Sequence, residues 1–386
     1  MRILWHSVKP NIPTGYGTQT KLFVQGLCKR GYDVDVSCTS GLYGAVEQVN
    51  YFGKQVRLFP HSSHSSVYGM DVVESHWKHC KADWVLSFID CFIFNPEVLS
   101  RMPWISWVPV DSDPVMVDNT KPLQASKYRL APTKWGKGVL AKAKMNSVYM
   151  PCAYSRNEYF VMEGGMEQAR ASLTKVFKQN LPKERKIANV VSSNTGWRKN
   201  FPVIFEAWAN VLKVHPDALL YVHSDPSGYF SDGINLFKVM ELYGVPEASV
   251  IFPPLWEYSC GALGTNFLNL IYNASNVHIN ACYGEGFGIP MIEAQAAGCP
   301  VVAPKFGGAG EVTKTGWLCS GKMINTVPGA LQMMVDVDEM TAAILESFVA
   351  NPVRKAVSEH VEEYEIDNVL EITTSFLEGL PCSPGC

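Results

Sequence analysis

Apolar positions along this chain alternate between short continuous runs and longer stretches with helical spacing. RILWHSV (2–8) is a short β-type run, followed by the turn-rich PNIPTGYGTQT. KLFVQGLCKRG then places Leu22, Phe23 and Leu27 at helical spacing, with Gly31 as the expected stop. YDVDVSC (32–38) is the next strand. A strand, glycine loop, helix and strand in succession predict a parallel sheet. VRLFP (56–60), ADWVLSF (82–88), PWISWVPV (103–110) and SKYRLAP (126–132) read as buried strands. TKWGKGVLAKA (133–143) reads as a short helix with Thr133 as its N-cap, and VYMPCAY (148–154) as a further strand.

Residues 155–186 lose this rhythm, and a domain connection is expected there. A second series starts at KIANVVSS (186–193). Its helices are FPVIFEAWANVLKVHP, GINLFKVMELYGV (233–245), LGTNFLNLIYNAS (263–275) and IPMIEAQAAG (289–298). Its strands are ALLYVHS (218–224), SVIFPP (249–254), NVHINAC (276–282) and PVVAP (300–304). Residues 335–380 read as two or more helices broken at Asn351-Pro352. The expected fold class is α/β, with two doubly wound, Rossmann-like domains over 1–175 and 186–355. Such sheets bind ligands at the carboxyl ends of their strands, so the cleft between the domains is the expected site.

The length of 386 residues suits two domains, and the near-half apolar content suits a folded globular enzyme. A net charge of −3 gives no reason to expect a nucleic-acid grip. The eleven cysteines are scattered, some in apolar runs such as FIDCFIF around Cys91, and no CxxC occurs. The tail CSPGC is weak evidence for metal, and the odd count favours free thiols in a reducing cytosol. MRILWHSVKP lacks the pattern of a signal peptide and no run suits a bilayer span, so a cytoplasmic protein is expected.

The chemistry concentrates in YGEGFGIPMIEAQAAGCPVV (283–302). A strand delivers the chain into Gly284-Glu285-Gly286-Phe287-Gly288, and a helix begins near Ile289 with Pro290 in its first turn. Gly286 and Gly288 permit close approach of backbone amides to a ligand, and the helix start adds unpaired N–H groups and a positive dipole end. That combination suits a phosphate. An ionised carboxylate only accepts hydrogen bonds, so Glu285 makes sense facing hydroxyls beside the phosphate. Glu293, about a turn into the helix, can serve a second diol or simply complement the dipole. Two diols flanking a diphosphate describe a nucleotide-sugar. Arg198 and Lys199, in RKNFPVIFEAW (198–208), suit a leaving diphosphate whose charge grows, or form a solvated pair at a helix start.

This segment resembles the donor-binding signature of the retaining GT-B glycosyltransferases of family 4 type. The resemblance is carried by Glu285, Gly286, Phe287, Gly288, Pro290, Glu293, Ala294, Ala297, Gly298, Pro300, Val301 and Val302, with GGAGEV (307–312) and TGWL (315–318) similar to the next landmarks. It implies that Lys199 and Arg198 meet the donor diphosphate, Glu285 the sugar hydroxyls and Glu293 the ribose. IFPPLW (251–256), with Pro254, would line the base pocket. Gly15 and Gly17 resemble the glycine loop of the first domain, which approaches the diphosphate or acceptor. The final helix, within 356–386, is expected to cross back to the first domain. The family generally requires no metal, so no metal site and no cofactor is expected beyond the nucleoside diphosphate-sugar substrate.

Three departures stand out. Asn194 occupies the place of a frequent Arg, and Cys152-Ala153 the place of an Asn-Gly pair. VPVDSDP lacks the His found in many relatives, leaving Asp111 and Asp113. Asp111 either faces the acceptor hydroxyl or donor sugar from a strand end, or forms an Asx-type turn with Asp113 before Pro114. HSSHSS (61–66) reads as an acceptor loop or a polar loop, and His223 as a strand-end residue near the nucleotide or a structural one. The expected reaction is retaining transfer of a sugar to an acceptor hydroxyl, with Glu285, Asp111, Lys199 and Arg198 as the catalytic group. A nucleotide-sugar epimerase or a non-catalytic nucleotide-sugar-binding protein is the alternative. The acceptor stays open among glycan, lipid, protein, small molecule and modified nucleic acid, with peripheral membrane contact allowed.

Overall fold

A computed structural model describes residues 1–61, 67–229 and 232–381. The chain divides into two compact units: Met1–Ala153 with Asn325–Leu331 and Tyr364–Cys386, and Tyr154–Ile324 with Gln332–Glu363.

The first unit is built on β1 (Arg2–Ser7), α1 (Gly15–Lys29), β2 (Asp33–Cys38), β3 (Glu47–Tyr51), β4 (Lys54–Phe59), α2 (Val73–Cys80), β5 (Trp84–Phe88), α3 (Pro96–Ser100), β6 (Trp104–Trp107), α4 (Val117–Ala125), β7 (Tyr128–Ala131), α5 (Lys134–Lys142) and β8 (Val148–Tyr149). The strand order is β3-β4-β2-β1-β5-β6-β7-β8, parallel except for the β3–β4 pair. From β1 the chain winds outward through β2, then returns to start the other half at β5. The strand order therefore reverses between β1 and β5, and the crevice outside their carboxyl ends is the sheet's switch point.

The core beneath this sheet is aromatic. Phe23 of α1 lies 4.7 Å from the Trp107 ring and 5.7 Å from Trp5, all fully buried. Each buried indole N–H of the group has a partner: Trp5 donates to Thr20 Oγ1 at 3.2 Å and Trp107 to Met150 O at 2.8 Å. The stretch read as a glycine loop is the first turn of α1. Thr14 is its N-cap, accepting from Gly17 N at 3.1 Å. A Cβ at Gly17 would collide with the carbonyl of Ile12, so the chain's own backbone demands that glycine, while Gly15 is exposed. Thr133 caps α5 as expected, by accepting from Gly136 N at 2.9 Å.

The second unit contains α6 (Gly165–Phe177), β9 (Ile187–Val191), α7 (Phe201–Val214), β10 (Leu219–His223), α8 (Leu236–Tyr243), β11 (Val250–Ile251), α9 (Leu255–Ser259), α10 (Thr265–Ala274), β12 (Val277–Ile279), α11 (Ile289–Ala296), β13 (Val301–Pro304), α12 (Gly307–Val312) and β14 (Gly316–Cys319). The two-stranded sheet of β15 (Gly321–Val327) and β16 (Ala330–Val335) follows, then α13 (Val337–Ala350), α14 (Arg354–Glu359) and α15 (Ile366–Glu378). The six-stranded sheet runs β11-β10-β9-β12-β13-β14, all parallel, so its order reverses between β9 and β12. Trp208, Phe205 and Val211 of α7 pack with Leu220 and Val222 of β10 and with Ile344 and Phe348 of α13 in its core.

Three assignments differ from the sequence reading. Residues 325–331, expected in the second domain, group with the first unit. Residues 154–175, assigned there to the first domain, group with the second unit, because the buried Arg170 of α6 donates to Ala274 O, Pro182 O, Lys183 O and Asn276 Oδ1 at 2.7–3.0 Å. The chain that groups with the first unit at its far end begins at Tyr364 rather than at 356. There α15 packs on α1: a Cβ at Gly26 would run into Leu370, and Arg30 donates to Glu371 Oε1 at 3.0 Å.

Candidate functional site

The loop after β9 and the loop after β12 leave the second sheet on either side of its switch point. The first carries Arg198 and Lys199, the second Cys282 and Glu285. Gly196 and Asn200 take left-handed φ values of 53° and 54°, which turn the first loop tightly before Pro202 opens α7. Tyr283 N donates to Arg198 O at 3.0 Å and holds the two loops together. A cavity of ≈ 10 Å³, lined by Val190, Ser192, Lys199, Asn280 and Cys282 among others, marks the bottom of the crevice. It has room for about one water.

Above it, Lys199 Nζ lies 2.5 Å from Glu285 Oε1 and Arg198 Nη1 lies 3.6 Å from Glu285 Oε2. The same Arg198 nitrogen donates to Gly284 O at 2.9 Å and approaches Cys282 Sγ at 3.6 Å. Burial pushes the Glu285 carboxyl up. The charges of Lys199 and Arg198, with hydrogen bonds from Lys199 and Cys282, outweigh it and hold the group at about 2. The Cys282 thiol goes the other way, pushed up to about 12 by burial and then by the Glu285 charge, against the pull of Lys199 and Arg198. It is an inert neutral thiol that braces the carboxylate.

The loop that carries Glu285 is seated on α12. Gly308 N donates to Glu285 O at 2.8 Å, and a Cβ on Gly308 would lie 2.7 Å from both that oxygen and Phe287 Cα. Gly288, with φ 104°, turns the chain into α11, and Phe287 is buried beside it, as is Gly286. Gly308 of GGAGEV and the Glu285–Phe287 backbone of GEGFG are thus partners in one close contact.

The structure brings Glu285, Lys199 and Arg198 together but not Glu293 with them. Glu293 is buried within α11, where Tyr272 donates to its Oε2 at 3.3 Å and Tyr159 forms a further hydrogen bond. Burial pushes this carboxyl up to about 7, against the lowering effect of the two tyrosines. The strand expected over 249–254 is confined to Val250–Ile251; Pro254 is the exposed N-cap of α9, which follows it and presents Trp256 at 72% exposure. His223 accepts or donates a 2.9 Å bond with Tyr221, and burial lowers it to about 4. Asn194 is buried, with Nδ2 on Asp225 O and Ile234 O at 2.9 and 2.7 Å and Oδ1 accepting from Ile234 N at 3.1 Å. It staples the loop after β9 to the segment between β10 and α8.

In the first unit, Asp111 is partly buried beyond the end of β6. Asp113 bonds Lys142 at 2.6 Å and pairs backbone to backbone with Leu331 at 3.1 Å in both directions. Of HSSHSS, residues 62–66 lie outside the described residues, as does CSPGC (382–386). Among the described residues no group of three or more His, Cys, Asp or Glu could hold a metal ion, and no helix is long and apolar enough to cross a membrane. Cys282, Tyr159 and Tyr272 complete the site without a motif of their own. Cys282 has a local signal, its place three residues before Glu285; the tyrosines reach Glu293 from remote positions.

Residues 185–347 match the family described as Glycosyl transferases group 1. A D-inositol 3-phosphate glycosyltransferase of Rhodococcus erythropolis is 40% identical over 68 residues, 17% of this chain and 15% of the relative. That of Mycolicibacterium gilvum is 28% identical over 138 residues, 36% and 27% of the two chains. The matches therefore span less than a third of these curated relatives. Among solved structures, sucrose-phosphate synthase of Thermosynechococcus elongatus superposes with a TM-score of 0.73 at 18% identity, covering 98% of both chains. A glycosyltransferase from Rickettsia africae gives 0.68 at 16% identity over 98% and 99%. The chain thus carries a Glycosyl transferases group 1 domain over residues 185–347, within a GT-B fold that extends through nearly its whole length.

Proposed function

We propose that this protein transfers a sugar from a nucleoside diphosphate-sugar to an acceptor hydroxyl, with retention at the anomeric carbon. The observation that carries the reading is the Lys199–Glu285–Arg198 cluster at the switch point of the second sheet, beside the amino end of α11. The ammonium of Lys199 has three donors, so it can keep Glu285 and still take a phosphate oxygen. Arg198 adds a second cation. Together they favour the diphosphate most as its negative charge grows on departure. Glu285, ionised and turned to accept, suits the hydroxyls of the donor sugar. Retention follows from the family likeness: the acceptor attacks on the face the diphosphate leaves, and the departing phosphate oxygen takes the acceptor's proton. The D-inositol 3-phosphate in the relatives' names belongs to those proteins.

Glu285→Gln keeps the shape and removes the charge. With labelled nucleotide-sugars and an acceptor panel, it is expected to lower turnover at least tenfold while the chain stays folded, shown by a retained cooperative urea transition. Near-normal turnover sinks the reading. Conversion of the donor without any acceptor would favour an epimerase instead.

A further inference from the structure

The first sheet has a crevice at its own switch point. Between the carboxyl ends of β1 and β5 lies a cavity of ≈ 190 Å³. A cavity of roughly 150 Å³ is known to take one benzene ring, so this one fits a single six-membered ring with small substituents. Its walls include Tyr16 from the first turn of α1, Tyr68, Ile89, Asp90 and Phe92 from the loop after β5, and Ser40 from the loop after β2. Among the described lining residues none is basic. Lys9, in the loop after β1, is held by Glu47 at 2.8 Å.

Two further observations point to a ligand. Tyr68 has φ 69° and ψ 21°, a left-handed backbone that is costly for an aromatic residue and tends to occur at binding sites. Phe92, a large apolar ring at the cavity's edge, is half exposed. The chemistry is one-sided. Aromatic and aliphatic walls suit the apolar face of a ring. The Asp90 carboxylate accepts from hydroxyls and repels a phosphate, and the hydroxyls of Tyr16, Tyr68 and Ser40 add neutral partners.

We infer that this crevice binds an uncharged, hydroxyl-bearing six-membered ring and discriminates against its phosphorylated form. Taken with the transferase reading, on which this step rests, the ring is the acceptor. The acceptor class is then a neutral sugar or cyclitol unit, unlike the phosphorylated compounds in the names of several similar proteins.

The test uses the full chain without any donor, read by saturation-transfer NMR with two matched pairs: methyl glucoside against glucose 6-phosphate, and myo-inositol against myo-inositol 1-phosphate. At least one neutral member binds, and its phosphorylated partner binds at least tenfold more weakly. Asp90→Asn weakens the neutral ring at least fivefold, and Asp90→Lys moves preference toward the phosphate. Phe92→Ala, at a half-exposed site that tolerates truncation, weakens the neutral ring without lowering Tm. Equal or tighter binding of the phosphates, no binding of either neutral ring, or indifference to both Asp90→Asn and Phe92→Ala overturns the inference. Because no donor is present, these results stand apart from the Glu285→Gln turnover test, and either can fail alone.

Discussion

Lys199→Met removes the ammonium that lies 2.5 Å from Glu285 Oε1 while keeping most of the side chain's reach. Both side chains are 13% exposed, so solvent screens the pair only weakly. Burial acts on Glu285 to raise its pKa, and Lys199 is the largest single influence that lowers it. The fall from the ordinary 4.5 to about 2 amounts to about 3 kcal/mol in favour of the folded state at neutral pH. A depressed carboxylate stabilises above its unfolded pKa and loses that contribution as pH falls through its folded pKa. The contribution is therefore full above pH 4.5 and shrinks to about 1 kcal/mol at pH 3. In Lys199→Met the Glu285 pKa rises, Arg198 and Cys282 retain only part of the depression, and the pH-dependent contribution shrinks. Urea titrations of wild type, Lys199→Met, Glu285→Gln and the double variant at pH 7 should give a coupling of about 2 kcal/mol, and the wild-type advantage over Lys199→Met should shrink at pH 3. A coupling below about 0.3 kcal/mol, or an advantage equal at both pH values, refutes the reasoning.

Three other outcomes are expected. Burial holds Glu293 up at about 7, so the folded state binds its proton more tightly than the unfolded chain between pH 4.5 and about 7, and stability falls as pH rises across that window. Glu293→Gln should flatten that part of the Tm–pH curve, and an unchanged slope between pH 5 and pH 8 would contradict the assignment. Gly308→Ala should cost about 1–3 kcal/mol and reduce turnover together, since its Cβ displaces the Glu285 carbonyl; wild-type kinetics would show that the loop yields freely. Asn194→Arg, which adds a cation five residues before Lys199, should lower Tm by several degrees and fail to tighten donor binding, because three backbone partners of Asn194 are lost, each costing about 1–3 kcal/mol if left unpaired. Tighter donor binding at an unchanged Tm would show the opposite.

How far the sequence reading reached depends on where each signal resides. The second sheet is legible because its strands are short, apolar and punctuated, and Glu285, Lys199 and Arg198 announce themselves by local motifs. The start of α1 is not, since two glycines in PTGYGTQT look like a loop until Thr14 is seen to cap Gly17. The strand β3 has an exposed, polar pattern that periodicity does not flag. The helices α2, α3 and α4 are nine residues or shorter and carry few buried positions. Helix α6 reads as a connection in the sequence because partners of Arg170 come from residues a hundred positions away. The tyrosine pair around Glu293 is hidden for the same reason: no local pattern encodes a contact between residues 159, 272 and 293.

The packing of α15 on α1 has a consequence for how this chain is made. Gly26 and Leu370 touch, yet Leu370 leaves the ribosome roughly 340 residues later. At translation rates of about 5–20 residues per second, that is an interval of roughly 20–70 seconds. Through all of it the nascent first sheet exposes the groove on α1 that Leu370 will fill. The unit whose synthesis starts first is therefore sealed after the other has emerged, and holdase chaperones have their longest opportunity at the groove beside Gly26.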